Sequence, residues 1–470
     1  SVTTDGGATS TITVQAKDVQ GNNLTSSGGT VALTEDSATA VLSSVTDNNN
    51  GTYTATITNT VAEDVVISGT IASNNITSGN PTITFTPGVV STVTTTISIS
   101  PNSVTADGSS SSLITVQAKD AQGNNLTSSG GTVALAEDSA TSDLSGVTDN
   151  NNGTYTATIT NTVAENVVIS GTITSNNITS GNQTITFVAG NTASAATTTI
   201  SVSQNSVTAD GSSSSLITVQ AKDNFNNIIT SGGLTITLAN NGNAAISTVS
   251  DNGNGTYTAT ITNTVAEDVV ISGTIASNNI TSGIQTITFT PGAASTATTT
   301  ISVSLTSITT DGGATATITI QAKDTQGNNL TSSGGTVTLA ENSATALLSA
   351  VTNHNDGTYT ATISNTIAES VTVSGTIAGN SISSGDQTIS FVPGVVSAAY
   401  TTITASPASV AAGSSTTITI QAKDAQGNNL TSSGGTVTLA ENSPTAVLSA
   451  VTNHNNGTYT ATISNTVAES

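Results

Sequence analysis

The sequence predicts an all-β protein built from five tandem copies of one unit of about one hundred residues. The tetrapeptide Gln-Ala-Lys-Asp recurs at intervals of 102, 103, 101 and 100 residues. These tetrapeptides contain every basic residue of the chain: Lys17, Lys119, Lys222, Lys323 and Lys423. A second motif, Gly-Thr-Tyr-Thr-Ala-Thr, follows once in each copy at nearly the same distance. A fixed period of this length is typical of a tandem array of domains.

Within the second copy, alternation of apolar and polar residues predicts seven short strands and no helix. Turn signals rich in Asn, Asp and Gly separate these strands. In the clearest strand, Tyr155, Ala157 and Ile159 share one face and are predicted to enter the core, while the threonines between them face water. The strands are predicted at residues 96–100, 113–120, 133–135, 144–147, 154–159, 167–173 and 185–187.

Seven short strands in about one hundred residues predict an immunoglobulin-like β-sandwich. The chain has no Cys and no Trp, so the disulfide and tryptophan that mark antibody domains are absent. The segments Ala-Lys-Asp-Ala-Gln-Gly-Asn at 118–124 and Asn-Gly-Thr-Tyr-Thr-Ala-Thr at 152–158 resemble the bacterial Ig-like repeat of the invasin and intimin type. The resemblance extends over every copy and implies exposure on a bacterial surface, with adhesion or stalk duty. It identifies no ligand, because such repeats usually space a separate binding tip.

The period divides the chain into repeats at residues 1–88, 89–190, 191–292, 293–394 and 395–470. Repeat one lacks a counterpart of strand 96–100, and repeat five stops before the counterparts of residues 371–394, so we expect the chain to be a window from a longer array. The joins are short and contain no long Gly, Ser or Pro tract, which predicts an elongated, semi-rigid rod. Five such sandwiches in line would extend about 150 to 200 Å.

The charge balance excludes two classes of partner. Against 5 basic residues the chain has 28 acidic ones, which gives a net charge of −23. Such a charge repels nucleic acid and anionic lipid head groups. No apolar stretch approaches the roughly 20 residues that a membrane-spanning helix needs. We therefore expect no nucleic-acid partner and no direct membrane insertion.

Acidic residues in the predicted loops are the candidates for a metal site. In repeat two these are Asp107, Glu137, Asp138 and Asp149. Calcium prefers carboxylate oxygens and would rigidify the junctions if two repeats shared one ion. The alternative is that these side chains are solvated turn carboxylates. Repeat five favours this alternative, because it carries Ala412 in place of the turn Asp. No other cofactor is predicted.

No Ser-His-Asp order, His cluster at metal-ligand spacing, phosphate-binding Gly loop or inward carboxylate pair occurs, so no enzyme activity is expected. The predicted function is a structural stalk or filament segment of a giant bacterial cell-surface adhesin, extracellular and used for host attachment, gliding or prey capture. The alternative is a set of multivalent repeats that themselves bind glycans or proteins. The 2% aromatic content and the absence of Arg argue against it, since such residues dominate binding hot spots.

Three kinds of partner are predicted for such a stalk. Neighbouring repeats of a longer polypeptide would continue the rod, and a cell-surface target would bind through regions outside this chain. Other copies of the chain are predicted to bundle with it as a homo-oligomeric filament. The strand edges carry mostly Thr, Ser and Ala instead of the charges that normally guard such edges.

Overall fold

A computed structural model describes residues 1–470 and contains strands and turns but no helix. Accordingly, no helix is long and apolar enough to cross a membrane. The strands form two sheets in each of the first four repeats and one sheet in the fifth. This architecture confirms the predicted all-β array of five tandem repeats.

Repeat two shows the complete arrangement of strands. One sheet has the order β1-β3-β7-β5, with β6 also paired to β7, and the other has the order β2-β10-β8-β4, with β9 paired to β8. Strand β2 runs parallel to β10, and the other pairs are antiparallel. The ten strands are β1 Thr96–Ser100, β2 Ser103–Thr105, β3 Ser112–Gln117, β4 Val133–Glu137, β5 Ser142–Leu144, β6 Thr148–Asp149, β7 Thr154–Asn161, β8 Asn166–Ile173, β9 Asn176–Asn177 and β10 Gln183–Val188.

The other repeats have corresponding strands. Those of repeat one are Val2–Thr3, Ser10–Gln15, Val31–Glu35, Val41–Leu42, Thr46–Asp47, Thr52–Thr58, Asp64–Ile71, Asn74–Asn75 and Thr82–Thr86. Those of repeat three are Thr199–Val202, Ser206–Thr208, Ser215–Gln220, Ile236–Asn240, Ala245–Ile246, Ser250–Asp251, Thr256–Thr262, Asp268–Ile275, Asn278–Asn279 and Gln285–Thr290. Those of repeat four are Thr300–Val303, Ser307–Thr309, Ala316–Gln321, Val337–Glu341, Leu347–Leu348, Thr352–Asn353, Thr358–Ser364, Ser370–Ile377, Asn380–Ser381 and Gln387–Val392. Those of repeat five are Thr402–Ser406, Ser415–Gln421, Val447–Leu448, Thr452–Asn453 and Thr458–Ser464.

The predicted strands of repeat two are present, with three differences from prediction. The strand predicted at 113–120 ends at Gln117, because the following residues leave the sheet to bond neighbouring loops and the linker from repeat one, residues 87–95. Of the strand predicted at 144–147, only Leu144 lies in a strand, at the end of β5, and residues 145–147 connect β5 to β6. The short strands β2 and β9 were not predicted. Strand β2 carries the chain from the first sheet to the second, directly after β1.

The core of repeat two contains 15 buried residues contributed by both sheets. On β7, Tyr155, Ala157 and Ile159 are at most 4% exposed, which confirms their predicted inward direction. They pair in register with Val116, Ile114 and Ser112 of β3. The alternation of strand residues therefore determines which side chains reach the core and which face water.

The tyrosine of each repeat joins its strand to a loop upstream. Tyr155 Oη accepts a hydrogen bond from Gly130 N–H (2.7 Å) and donates one to the Gly131 carbonyl (2.7 Å). The equivalent strand positions of the other repeats hold buried tyrosines as predicted: Tyr53, Tyr257, Tyr359 and Tyr459.

The glycine before this tyrosine is required by a close approach of two loops. Gly153 has a φ of +84°, and a Cβ atom at this position would lie 1.9 Å from the carbonyl oxygen of Leu126. Only glycine accommodates both this dihedral and this contact. The glycine of the Gly-Thr-Tyr motif is therefore required by the close packing of two loops, at the end of the sandwich that contacts the linker.

We predict that Tyr155→Phe destabilises repeat two by about 1–3 kcal/mol, because it leaves the Gly130 N–H and the Gly131 carbonyl without a partner. Repeat three supplies the control, since Tyr257 Oη accepts one hydrogen bond, from Leu234 N–H (2.9 Å). Tyr257→Phe should therefore cost less. Urea-dependent amide hydrogen exchange would measure each repeat separately, and an equal loss in both repeats would contradict this account.

Candidate functional site: the junctions between repeats

The aspartate of Gln-Ala-Lys-Asp lies buried where two repeats meet. Asp120 is 1% exposed although it belongs to a loop. Its Oδ1 accepts hydrogen bonds from the backbone N–H groups of Gln122 (3.0 Å) and Asn124 (2.8 Å). Gly123 between them adopts a φ of +89°. The Ala-Lys-Asp-x-x-Gly-Asn motif thus forms a tight loop with its Asp and Asn side chains held together.

The Asp120 carboxylate also accepts hydrogen bonds from repeat one. Its Oδ2 accepts hydrogen bonds from the hydroxyl of Thr4 (2.6 Å) and the backbone N–H of Gly88 (3.0 Å). Burial alone raises the pKa of Asp120, but the hydrogen bonds from Thr4, Gly88 and Asn124 outweigh it and lower the pKa to about 2. The group is therefore charged at neutral pH, and protein donors stabilise the charge.

Asn124 contacts repeat one with both atoms of its amide. The Nδ2 group donates to the backbone carbonyl of Thr60 (2.9 Å), and Oδ1 accepts from the backbone N–H of Ala62 (3.1 Å). Nδ2 also donates to the Thr4 hydroxyl (3.1 Å). An amide that bonds two backbone groups of one loop fixes both the position and the orientation of that loop.

In each of the first four repeats, the loop that bonds the asparagine of the following repeat is held in place by residues of its own repeat. In repeat two its sequence is Asn-Thr-Val-Ala-Glu at residues 161–165. Glu165 Oε1 accepts from Ser139 Oγ, Thr141 Oγ1 (2.8 Å) and Asn161 Nδ2 (2.8 Å), and these bonds lower the pKa of Glu165. The outer residues of the motif therefore hold the loop, while the carbonyl of Thr162 and the N–H of Ala164 bond the next repeat.

The same geometry recurs at all four junctions. Each asparagine amide donates to a threonine carbonyl of the preceding repeat at 2.9 Å and accepts from an alanine N–H at 2.8–3.1 Å. Each aspartate accepts a linker glycine N–H at 2.9–3.1 Å. The pairs are Asp120 with Asn124, Asp223 with Asn227, Asp324 with Asn328 and Asp424 with Asn428.

The linker is hydrogen-bonded to the repeat that follows it. Ser91 N–H donates to the carbonyl of Lys119 (2.8 Å), and the Thr94 hydroxyl donates to the carbonyl of Asp120 (2.5 Å). The backbone N–H of Lys119 donates to Thr95 Oγ1 (3.1 Å). The backbone at Lys119 therefore takes part in the junction, and each linker has a defined path.

The four residues predicted as calcium ligands do not come together. Asp149 pairs with Tyr155 at the start of β7, whereas Asp107, Glu137 and Asp138 lie towards the other end of the sandwich. The backbone N–H groups of Ser109 and Ser110 donate to Asp107 Oδ1, and these bonds lower its pKa.

The other three carboxylates also accept hydrogen bonds from their own repeat. Val168 N–H donates to Asp138 Oδ1 (2.8 Å), Ser139 N–H donates to Glu137 Oε2 (2.5 Å), and Ser129 Oγ donates to Asp149 Oδ2 (2.6 Å). No group of three or more His, Cys, Asp or Glu side chains in the chain has the proximity to hold a metal ion. Calcium binding at these residues stays a prediction.

Sequence reasoning missed the Asp–Asn pair as a site, although it used the motif that contains both residues. The signal was their recurrence at a fixed spacing of four in all five repeats. A strand that ends in Asp and a turn that contains Asn are ordinary features, so one repeat alone gives no reason to place them between domains. The burial of the aspartate follows only from the packing of two repeats.

Comparison with known proteins decides the family. The family described as "Invasin, domain 3" matches residues 1–88, 91–190, 194–292, 295–394 and 397–470. The chain belongs to the invasin domain 3 family. This membership confirms the predicted resemblance to invasin-type Ig-like repeats and the predicted location at the bacterial cell surface.

Relatives of this family member include named adhesins. The chain is 28% identical to the inverse autotransporter adhesin YeeJ of Escherichia coli K12, in an alignment that covers 99% of this chain and 20% of that protein. The chain thus spans about a fifth of the length of that relative. Among solved structures, the Escherichia coli adhesin FdeC is 22% identical, with 66% of this chain and 100% of that chain covered and a TM-score of 0.43. Invasin, described as a bacterial integrin-binding protein, is 20% identical, with 87% and 79% covered and a TM-score of 0.40.

We predict that Asn124→Ala increases bending between repeats one and two, because it leaves the carbonyl of Thr60 and the N–H of Ala62 without their cross-junction partner. The chain has no Cys, so cysteines introduced at the exposed positions Ser44 and Gly146 would carry spin labels specifically. The distribution of distances between the labels should broaden.

Asn22→Ala is the matched control for this substitution. Asn22 bonds Asp18 within its own loop as Asn124 bonds Asp120, but it contacts no preceding repeat in this chain. The control should leave the label distances unchanged. Equal broadening by both substitutions would show that loss of the loop contact, and not of the junction, causes the effect.

Proposed function

We propose that this chain is a rigid stalk segment of a large bacterial surface adhesin, which holds a separate binding region away from the cell. The observation that carries the proposal is the fourfold recurrence of one hydrogen-bonded junction. Domains joined by flexible linkers would need no buried side chains between them. A stalk needs them, because each junction must resist bending for the whole rod to keep its length.

The adhesin role comes from the named relatives, and the stalk role from the junctions. Neither requires catalytic chemistry, and we propose that the segment is not an enzyme. The surface of the repeats also supports a spacing role. Its outward strand positions carry mainly Thr and Ser, and the aromatic and Arg side chains that dominate binding hot spots are scarce or absent. The target cell or surface would then be bound elsewhere in the whole protein, in attachment, gliding or prey capture.

Small-angle X-ray scattering of the chain tests the stalk directly. A rod of five sandwiches in line predicts a maximum dimension of about 150–200 Å with a uniform narrow cross-section. A compact particle, or the broad distribution of a freely jointed chain, would contradict the proposal. The alternative function, multivalent ligand binding by the repeats, predicts that a glycan array retains this fragment, whereas the stalk predicts no retention.

A second role, lateral bundling of several copies, is favoured by exposed apolar residues on one edge strand. Val41, Leu347 and Val447 occupy the same position on the strands equivalent to β5 and are 66%, 72% and 66% exposed. An unguarded strand edge with an apolar side chain is a common site of association. We propose that these edges pair with other copies of the chain, since a net charge of −23 disfavours contact through acidic surfaces.

Light scattering of the wild-type chain and of the triple variant Val41→Asp, Leu347→Asp, Val447→Asp would test bundling. Repeat two carries Asp143 at this position, so a carboxylate is compatible with the fold. Added sodium chloride should strengthen association of the wild type by screening the net charge, and the variant should stay monomeric. Calcium should strengthen association further only if the predicted carboxylates bind it. A wild-type chain that is monomeric under every condition would contradict bundling and leave the single-chain stalk.

A further inference from the structure

The four junctions differ at one buried position. Each of the first four repeats has an Asp-Gly turn near its start, such as Asp107-Gly108 in repeat two. The residue directly before this turn faces the Asp–Asn pair of the next repeat. Its side chain is inaccessible in each of the first four repeats. This residue is a threonine in repeats one and four and an alanine in repeats two and three: Thr4, Ala106, Ala209 and Thr310.

Where the residue is threonine, its hydroxyl joins both members of the pair. Thr310 Oγ1 donates to Asp424 Oδ2 (2.7 Å) and accepts from Asn428 Nδ2 (3.0 Å). Thr4 makes the same two bonds to repeat two, at 2.6 Å and 3.1 Å. A hydrogen bond to a buried carboxylate is charge-assisted and is among the stronger ones in proteins.

Where the residue is alanine, neither of these bonds exists. At the second junction, Asn227 Nδ2 donates to Thr162 and to its own Asp223, and from Ala106 it reaches the backbone carbonyl, at 3.5 Å. At the third, Asn328 Nδ2 donates to Thr264 and to its own Asp324. The Asp–Asn pair forms five hydrogen bonds with the preceding repeat at the first junction, and three at the third.

The hydroxyl bonds lie where they oppose bending. They connect one sandwich to the next through buried threonines and aspartates and half-buried asparagines. Tilting one repeat against the other would stretch both bonds, and the bond between hydroxyl and carboxylate is buried where water does not readily replace it. A junction that lacks them keeps the asparagine and glycine contacts but has fewer restraints on the angle between the repeats.

We propose that the rod bends mainly at its second and third junctions, so that two stiff pairs, repeats one with two and repeats four with five, flank a more mobile repeat three. The proposal rests on the stalk function and adds a pattern of stiffness along the stalk. The Thr or Ala residue at this position is the determinant of stiffness at each junction. Exchanging the two residues should therefore exchange the mechanical behaviour of the junctions.

Distances across each junction would measure this pattern in the full chain. One exposed loop position is equivalent in every repeat and suits cysteine substitution and spin labelling in neighbouring pairs: Ser44, Gly146, Thr248, Ala350 and Ala450. Pulsed electron–electron double resonance on each pair of labels gives the width of the distribution of distances between them. The widths at the second and third junctions should exceed those at the first and fourth.

Two double variants then test the cause. Ala106→Thr with Ala209→Thr should narrow the distributions at the second and third junctions, and Thr4→Ala with Thr310→Ala should broaden those at the first and fourth. The second variant shortens side chains, so it tests the proposal even if the added threonines disturb folding. Widths that are equal at all four junctions, or that do not change in the threonine-to-alanine variant, would overturn the proposal.

The outcome also separates this proposal from the stalk itself. Four narrow and equal distributions would reject the pattern of stiffness and leave a uniformly rigid stalk. Four distributions as broad as those of a freely jointed chain would reject both the stalk and the pattern.

Discussion

A buried aspartate, charged and saturated with hydrogen bonds, holds each repeat to the one before it. A carboxylate out of water is unfavourable unless donors surround it. At the first junction these donors come from the loop of Asp120 itself and from two separate parts of repeat one. A partial tilt would leave the carboxylate incompletely paired before water could reach it. The junction therefore favours one angle, and the rod depends on that preference being repeated.

This arrangement explains why the repeat motifs contain the residues they do. In Ala-Lys-Asp-x-x-Gly-Asn, Asp and Asn contact the preceding repeat, and the glycine permits the turn that brings them together. In Asn-Thr-Val-Ala-Glu, the outer Asn and Glu hold the loop that receives the next repeat. One motif thus forms the head of a repeat and the other its tail. Each repeat carries a version of both motifs, with Asn226 (φ of +70°) in place of the glycine in repeat three and Ile367 in place of the valine in repeat four. Repeats can therefore be joined in series without any special connecting element.

Much of the fold could be predicted from the sequence, because strand alternation and repeat period are local signals. Tyr155 and Ile159 were placed correctly in the core for this reason. Strand β2 was missed because three residues are too few to show alternation. The junction was missed for a different reason. Asp120 and Asn124 have polar side chains that sequence patterns assign to the surface, and only the packing of a second domain buries Asp120. The acidic residues chosen instead as a site, such as Asp107, cap turns within one repeat.

Rigidity of the junctions is the central claim, and one set of backbone amides reports on it directly. The N–H groups of Ala62, Ala164, Ala266 and Ala368 each donate to an asparagine of the following repeat. Amide hydrogen exchange of the intact chain, followed by nuclear magnetic resonance, would show whether these bonds persist in solution. The account predicts that all four amides exchange much more slowly than exposed loop amides. Exchange at the rate of exposed loop amides would mean that the junctions are open, and would contradict it.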